Sequence, residues 1–301
     1  MFSTLLGTLP PAAHDGGTAS GHHVAVLTEL VDLGLELVTT GAPPAGPETP
    51  AEDVVASWLV ASAAVSVPVK QVLAGPYSAG RDGGTSRPAQ VADALRPTLA
   101  ALAEAGCRFV EIDEPDALAI GVVAGERRRF VDAHHRLLAE APPIHVSLAL
   151  TGGNLDTAGP ATFFDLAYAS FAFDLIAGPD NWRLIAAAPG DRGIVCGALD
   201  PKPSGDETPE LLVWAAHYAA STGGRGTDRV GLANAPSLAD LPWEVAARKL
   251  RRVAEAAKLA GMPTAEMAPR LDPRSFGGRR DRPGGPLDPN RKPPGPTAPR
   301  R

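Results

Sequence analysis

Short apolar runs of four to six residues alternate along the chain with longer, Ala- and Leu-rich amphipathic runs. The short runs read as strands: Phe2–Leu6, Leu35–Thr39, Val69–Ala74, Arg108–Ile112, Ile144–Leu148, Asp174–Ala177, Ile194–Ala198 and Arg229–Leu232. The longer runs read as helices: Gly21–Leu33, Glu52–Ala64, Pro88–Ala105, Gly125–Glu140, Thr162–Ser170, Asn181–Ala187, Pro209–Ala220 and Pro242–Ala260. Strands that alternate with helices pair in parallel through right-handed crossovers. Eight such repeats in 301 residues fit a (β/α)8 TIM barrel, an α/β fold of one domain, better than an open doubly wound sheet. No GxGxxG follows the first run to favour the open sheet.

The last helix is the clearest. In "LPWEVAARKLRRVAEAAKLA", Trp243, Ala246, Leu250, Val253 and Ala257 recur at helical steps and form one apolar face. Arg248, Lys249, Arg251, Arg252 and Lys258 fall mostly on the other side and read as a solvated surface. Pro242 suits a helix start, and Gly261 with Pro263 a stop. The barrel is thus predicted over residues 1–263. Residues 264–301 are Pro-, Gly- and Arg-rich and read as a disordered basic tail, a linker or a tether to an acidic protein partner.

Charge sharpens this division. From Pro269 to Arg301 there are nine Arg and Lys against three Asp, leaving 19 basic and 31 acidic residues in the body. So acidic a body argues against nucleic acid as the main partner. No stretch resembles a membrane span or a signal peptide. Cys107 and Cys196 lie beside or within apolar runs and read as small hydrophobes in a reducing, cytoplasmic protein.

Several loops at strand ends carry candidate chemistry. "EIDEPDAL" ends a strand with two carboxylates before a proline, so Asp113 and Glu114 are candidates to bind or protonate a substrate. The plainer reading is a helix cap before Pro115. "AGPYSAGRDGG" offers close backbone approach, the Tyr77 ring and hydroxyl, and the Arg81 fork, or an ordinary loop. "LLGTLPP" offers the Gly7 and Thr8 amides, and "ALDPKPSGDETPELL" puts Asp200 and Lys202 at a strand end. The pairs His22-His23 and His134-His135 lie on predicted helices, where neighbours diverge, and make no metal clamp.

Taken in order, "LLGTLP", "GPYSAGR", "EIDEPDAL", "IHVSL", "GALDPKPSGDETPELL" and "RVGLANAPSLADLPWEVAARKLRRVAEAA" resemble the catalytic domain of cobalamin-independent methionine synthase, from about Thr4 to Ala257. The resemblance implies a (β/α)8 barrel. It also implies methyl transfer from methyltetrahydrofolate to a homocysteine thiol that zinc activates. Residue by residue, the family's zinc-binding His matches His145, but its first Cys falls on Ser147 and its last on Ser237. The family's Glu falls near Gly178 or Pro179, with Asp180 close by. A serine hydroxyl is a poor zinc ligand, so this site reads as degenerate and zinc binding is not expected. Gly7 and Thr8 match the loop that holds the amino-acid carboxylate, and Asp113 the group that holds the amine. A second family carboxylate becomes Ala42, while the folate-side loop is kept as Gly75, Pro76, Tyr77 and Ser78.

The leading expectation is therefore an enzyme of methyl, one-carbon or alkyl transfer, or related chemistry, on a small polar substrate without zinc. Asp113 would bind or protonate the substrate and His145 would serve as general base. Tyr77, Arg81, Glu114, Asp200 and Lys202 would orient the ligand. Two alternatives remain. One is a non-catalytic folate- or amino-acid-binding barrel that acts as a partner protein. The other is a zinc methyltransferase that uses His145, Asp180 and the serines.

Overall fold

A computed structural model describes residues 1–10, 19–203, 208–235 and 237–271. Its strands are β1 (Phe2–Ser3), β2 (Gln71–Ala74), β3 (Phe109–Asp113), β4 (His145–Leu150), β5 (Ser170–Asp174), β6 (Gly193–Leu199) and β7 (Val230–Asn234). They form one sheet in the order β1-β7-β6-β5-β4-β3-β2, and every pair is parallel. The helices between them are α1 (Ala19–Asp32), α2 (Ala51–Ala64), α3 (Pro76–Gly80), α4 (Arg87–Glu104), α5 (Ala124–Leu138), α6 (Ala161–Phe164), α7 (Trp182–Ala187), α8 (Pro209–Ser221) and α9 (Trp243–Ala260).

The sequence predicts a strand at residues 35–39, but the segment forms only an isolated bridge between Val38 and Val69. The Glu36 and Leu37 amides donate to Ser3 O at one sheet edge. Val38 N donates to Pro68 O, and Lys70 N donates back to Val38 O, at the other edge. The sheet is thus curled until its two edges share one segment.

The fifth strand also differs from expectation. It covers Ser170–Asp174, where the pattern suggests the end of a helix and a later strand. Its alternation explains why. Phe171 and Phe173 stack on one face and meet Phe164 of α6 edge-on. Ala172 faces the interior, in a buried cluster with Leu6, Ala149, Val195 and Ala233. A strand buries both faces here, whereas a helix would expose one Phe.

Helix α9 buries the predicted apolar stripe, including Ala246, Leu250, Val253 and Ala257. Lys249 departs from the expected solvated face. It is buried, and its Nζ donates to the backbone carbonyl of Asp200 at 2.7 Å. The chain divides into a compact unit, Met1–Met262, and a C-terminal unit from Pro263. In the latter a helix, α10 (Thr264–Leu271), stands where the sequence suggests the tail begins. The remaining expected tail, residues 272–301, lies outside the described residues.

Candidate functional site

In parallel α/β sheets the C-terminal strand ends and their loops carry the site. Asp113 ends β3 and pairs in register with Ala149 of β4. It is half-buried, and burial, reinforced by the neighbouring Glu111 and Glu114 carboxylates, raises its pKa to about 7. The Lys70 ammonium pulls the other way. A carboxyl poised near neutrality can both accept and deliver a proton.

Glu114, the next residue, points elsewhere. It is fully buried. Its Oε1 accepts from Tyr77 N (2.8 Å), and its Oε2 from Ser78 N (2.7 Å) and Ser78 Oγ (2.5 Å). It therefore closes the first turn of α3, where free amides attract a carboxylate. Gly75 makes this possible, because a Cβ there would overlap the Glu114 carboxylate. His134 Nε2 lies 3.0 Å from Glu114 Oε1, at ion-pair distance but off hydrogen-bond alignment. His134 Nδ1 and the Tyr168 hydroxyl are 2.5 Å apart. Glu114 thus joins a buried scaffold, with both carboxylate oxygens occupied by internal bonds.

The "GPYS" segment is held by internal bonds as well. It is helix α3, with Pro76 and Tyr77 buried. The Tyr77 ring packs edge-on against Phe130, and its hydroxyl donates to Glu126 at 2.7 Å. Burial, then Glu126, drives the Tyr77 pKa upward. Ser78 Oγ bridges Glu114 and the Asp116 amide. The Tyr77 hydroxyl and the Tyr77 and Ser78 amides are thus occupied by internal bonds. Arg81 is partly exposed and lies 3.6 Å from Asp116.

In the segment after β1, Gly7 adopts φ +68°, and a Cβ would come within 2.9 Å of Ser237 Cα. Only glycine suits this position. Ser237 Oγ lies 2.6 Å from Thr8 Oγ1, and Leu238 N donates to Thr8 O. The structure thus brings Ser237 to the Gly7–Thr8 loop. Asp200, which follows β6, accepts from Lys202 N at 2.9 Å, and the Lys202 side chain is exposed.

His145 and Ser147 lie at the other end. His145 begins β4 and pairs with Phe109, the first residue of β3. Its Nε2 lies 2.7 Å from Ser170 Oγ, and burial lowers its pKa. Four residues separate His145 from Ala149, the register partner of Asp113, or roughly 13 Å along a strand. His145 and Asp113 thus lie at opposite ends of neighbouring strands. Asp180 is taken up by Asn154 Nδ2 at 3.1 Å and by Arg183. His145 and Ser147 lie in the N-terminal half of β4, whereas Ser237 follows the C-terminal end of β7. These residues form no common ligand set and do not fit zinc. Among the described residues no three His, Cys, Asp or Glu side chains gather in a way that could hold a metal ion. Cys107 and Cys196 are buried, with the Cys196 thiol pushed up to about 12 by burial.

Sequence reasoning missed the residues that hold the loops. Asp174, fully buried, accepts from the Ile176, Ala177 and Gly152 amides. Asn181 donates to Gly153 O and Asp174 O and accepts from Leu155 N. Asn234 accepts from Leu6 N and donates to Leu6 O. The only signal in the chain is that these polar residues end or follow apolar runs.

No family model matches the chain. A 5-methyltetrahydropteroyltriglutamate–homocysteine methyltransferase of Parvibaculum lavamentivorans is 29% identical over 195 residues, 62% of this chain and 25% of the relative. One from Rhodopseudomonas palustris is 33% identical over 155 residues, 49% of this chain and 18% of the relative. The chain spans a quarter or less of the length of these relatives. A B12-independent methionine synthase from Shewanella, solved with selenomethionine, superposes with TM-score 0.67 at 13% identity, over 85% of this chain and 96% of that one. A methyltransferase from Methanosarcina mazei gives TM-score 0.59, also at 13% identity, over 85% and 94%. In sequence the chain is thus a partial relative of the cobalamin-independent methionine synthases, and its fold is like that of their solved structures.

Proposed function

We propose that the protein transfers a methyl or related one-carbon group between small polar molecules bound at the C-terminal ends of its strands. The Asp113 carboxyl carries this reading, since it sits at the end of β3 with a pKa near 7. In this role it holds the ammonium of an amino-acid-like substrate or exchanges a proton with the acceptor. The Gly7 and Thr8 amides take the substrate carboxylate, and Asp200 and Lys202 line the rim. The reading includes an eight-stranded barrel in which residues 35–39 supply the eighth stave and gather all strand ends into one mouth. The relatives are named for transfer from 5-methyltetrahydropteroyltriglutamate to homocysteine, which makes that donor and that acceptor the first pair to try. No step runs through zinc, because the mapped residues do not assemble. Two buried thiols suit a reducing, cytoplasmic setting.

A second reading, binding of such a ligand without turnover, draws on the internal bonds that occupy Tyr77, Ser78 and Glu114. The deciding experiment incubates the full chain with methyl-labelled donor and homocysteine, alongside other small amino-acid thiols, and follows the label. Transfer that falls about 100-fold or more in Asp113→Asn supports the first reading. Calorimetric binding of the donor with no transferred label supports the second and ends the first. Equimolar zinc in the purified protein, removed together with activity by a chelator, would overturn the zinc-free chemistry.

A further inference from the structure

At the N-terminal ends of the strands, opposite Asp113, lies a cavity of about 620 Å³. Its volume is that of a small-molecule site. Its walls are mostly apolar, with Phe2, Leu37, Phe109 and Ile194 among them. Deep inside, Lys70 Nζ donates to Glu111 Oε2 at 2.5 Å and to Leu5 O at 2.7 Å. Lys70 and Glu111 are both 3% exposed, so the pair is neutral as a unit and shielded from solvent.

Four polar atoms of the lining residues have no hydrogen-bond partner among the described groups: Glu111 Oε1, Ser147 Oγ, Thr4 Oγ1 and Arg192 Nε, the last of which lies 3.7 Å from the Asp191 carboxylate. Glu111, Ser147 and Thr4 are more than nine-tenths buried. Glu111 and Ser147 are register partners on adjacent strands, so their free atoms share one level of the interior. Leaving such atoms without a hydrogen bond is costly. A carboxylate oxygen can only accept, while the two hydroxyls can accept or donate. A ligand head that reaches Glu111 Oε1 must therefore donate.

Charge narrows the class further. The cavity is lined by Lys70, Arg192 and Arg229 against Glu36, Glu111, Asp191 and Asp228. This leaves one acidic group in excess, with His145 held toward its neutral form by burial. Such a surface favours a monocation over an anion. We propose that this cavity is a second ligand site, separate from the strand-end mouth, for a primary ammonium on a short apolar body. The head reaches Glu111 Oε1, Ser147 and Thr4, and the body lies against Phe2, Phe109 and Ile194.

The test uses the full chain with hexylammonium, and with hexanol and hexanoate as comparators, by titration calorimetry and ligand-observed NMR. Hexylammonium is expected to bind at least about tenfold tighter than either comparator, a difference of about one decade in Kd. Ser147→Leu fills the cavity from β4 and should reduce binding by about tenfold or more. Ala169→Leu, from a half-exposed wall position, should do the same and serves if the first variant fails to fold by circular dichroism. Three results would overturn the site: no probe binds the folded wild-type chain, binding is unchanged in the folded variants, or hexanol or hexanoate binds as tightly as hexylammonium. The outcome is independent of methyl transfer, since neither variant touches the Asp113 mouth.

Discussion

Asp113 and Glu114 are adjacent carboxylates with opposite fates, because successive side chains leave a strand end in opposite directions. Asp113 keeps a pKa near 7, above its ordinary value of about 3.9. Its contribution to stability is therefore full below about pH 4 and is lost as pH rises through about 7. Asp113→Asn removes that dependence. Urea unfolding at pH 4.5 and pH 8 should show the variant gaining on the order of 2–4 kcal/mol relative to wild type at the higher pH. An unchanged difference between the two pH values would rule out the raised pKa. Glu114, by contrast, depends on the missing side chain of Gly75. Gly75→Ala should push the carboxylate off the α3 amides and cost about 2 kcal/mol or more, read as a lowered thermal midpoint.

The elements are tied together by polar side chains at their ends. Arg225 is the largest case: it is 2% exposed. Its guanidinium donates to the carbonyls of Ala188, Pro189, Arg192 and Ala219 and to Thr222 Oγ1. One residue thus binds the end of α7, the approach to β6 and the end of α8. Arg225→Met keeps the apolar stem but leaves these buried acceptors unmet. A loss of about 3–5 kcal/mol is expected, measured as the shift in guanidinium midpoint. A loss below about 1 kcal/mol would mean that water replaces the donor without penalty.

For the whole molecule, the consequence is two ends with different chemistry. The C-terminal ends hold Asp113, the Gly7–Thr8 loop and Ser237. The N-terminal ends hold His145, Ser147 and the Lys70–Glu111 pair. Removing the His145 ring should therefore leave the proposed methyl transfer within about threefold of wild type, whereas Asp113→Asn should abolish it. A His145→Gln variant as inactive as Asp113→Asn would return His145 to the mouth and contradict the register. The depressed pKa of His145 makes its neutral form part of the folded state. Its contribution is present above about pH 6.5 and fades as pH falls toward the lower folded value. His145→Gln should flatten that acid limb of the stability profile.

Much of this architecture was legible in the chain itself. Alternating short and long apolar runs determine parallel pairing, because a buried strand needs apolar residues on both faces and a surface helix on only one. Seven strands form, six of them on expected runs, and α9 follows its stripe closely. The Asp113 position at a strand end follows from the same pattern. What the sequence alone could not decide is where a side chain goes once the strands are in register. The motif "IHVSL" places a histidine near a strand, but only pairing with Phe109 shows which end it occupies. Tyr77 and Glu114 look like ligand groups in a glycine-rich loop and an acidic turn, yet each finds its partner in a distant segment. The interior cavity likewise depends on first residues of several strands meeting at one level. Local pattern follows from backbone periodicity, which a sequence carries. Burial, pKa and partnership follow from contacts across tens of residues, which exist only after the chain has folded.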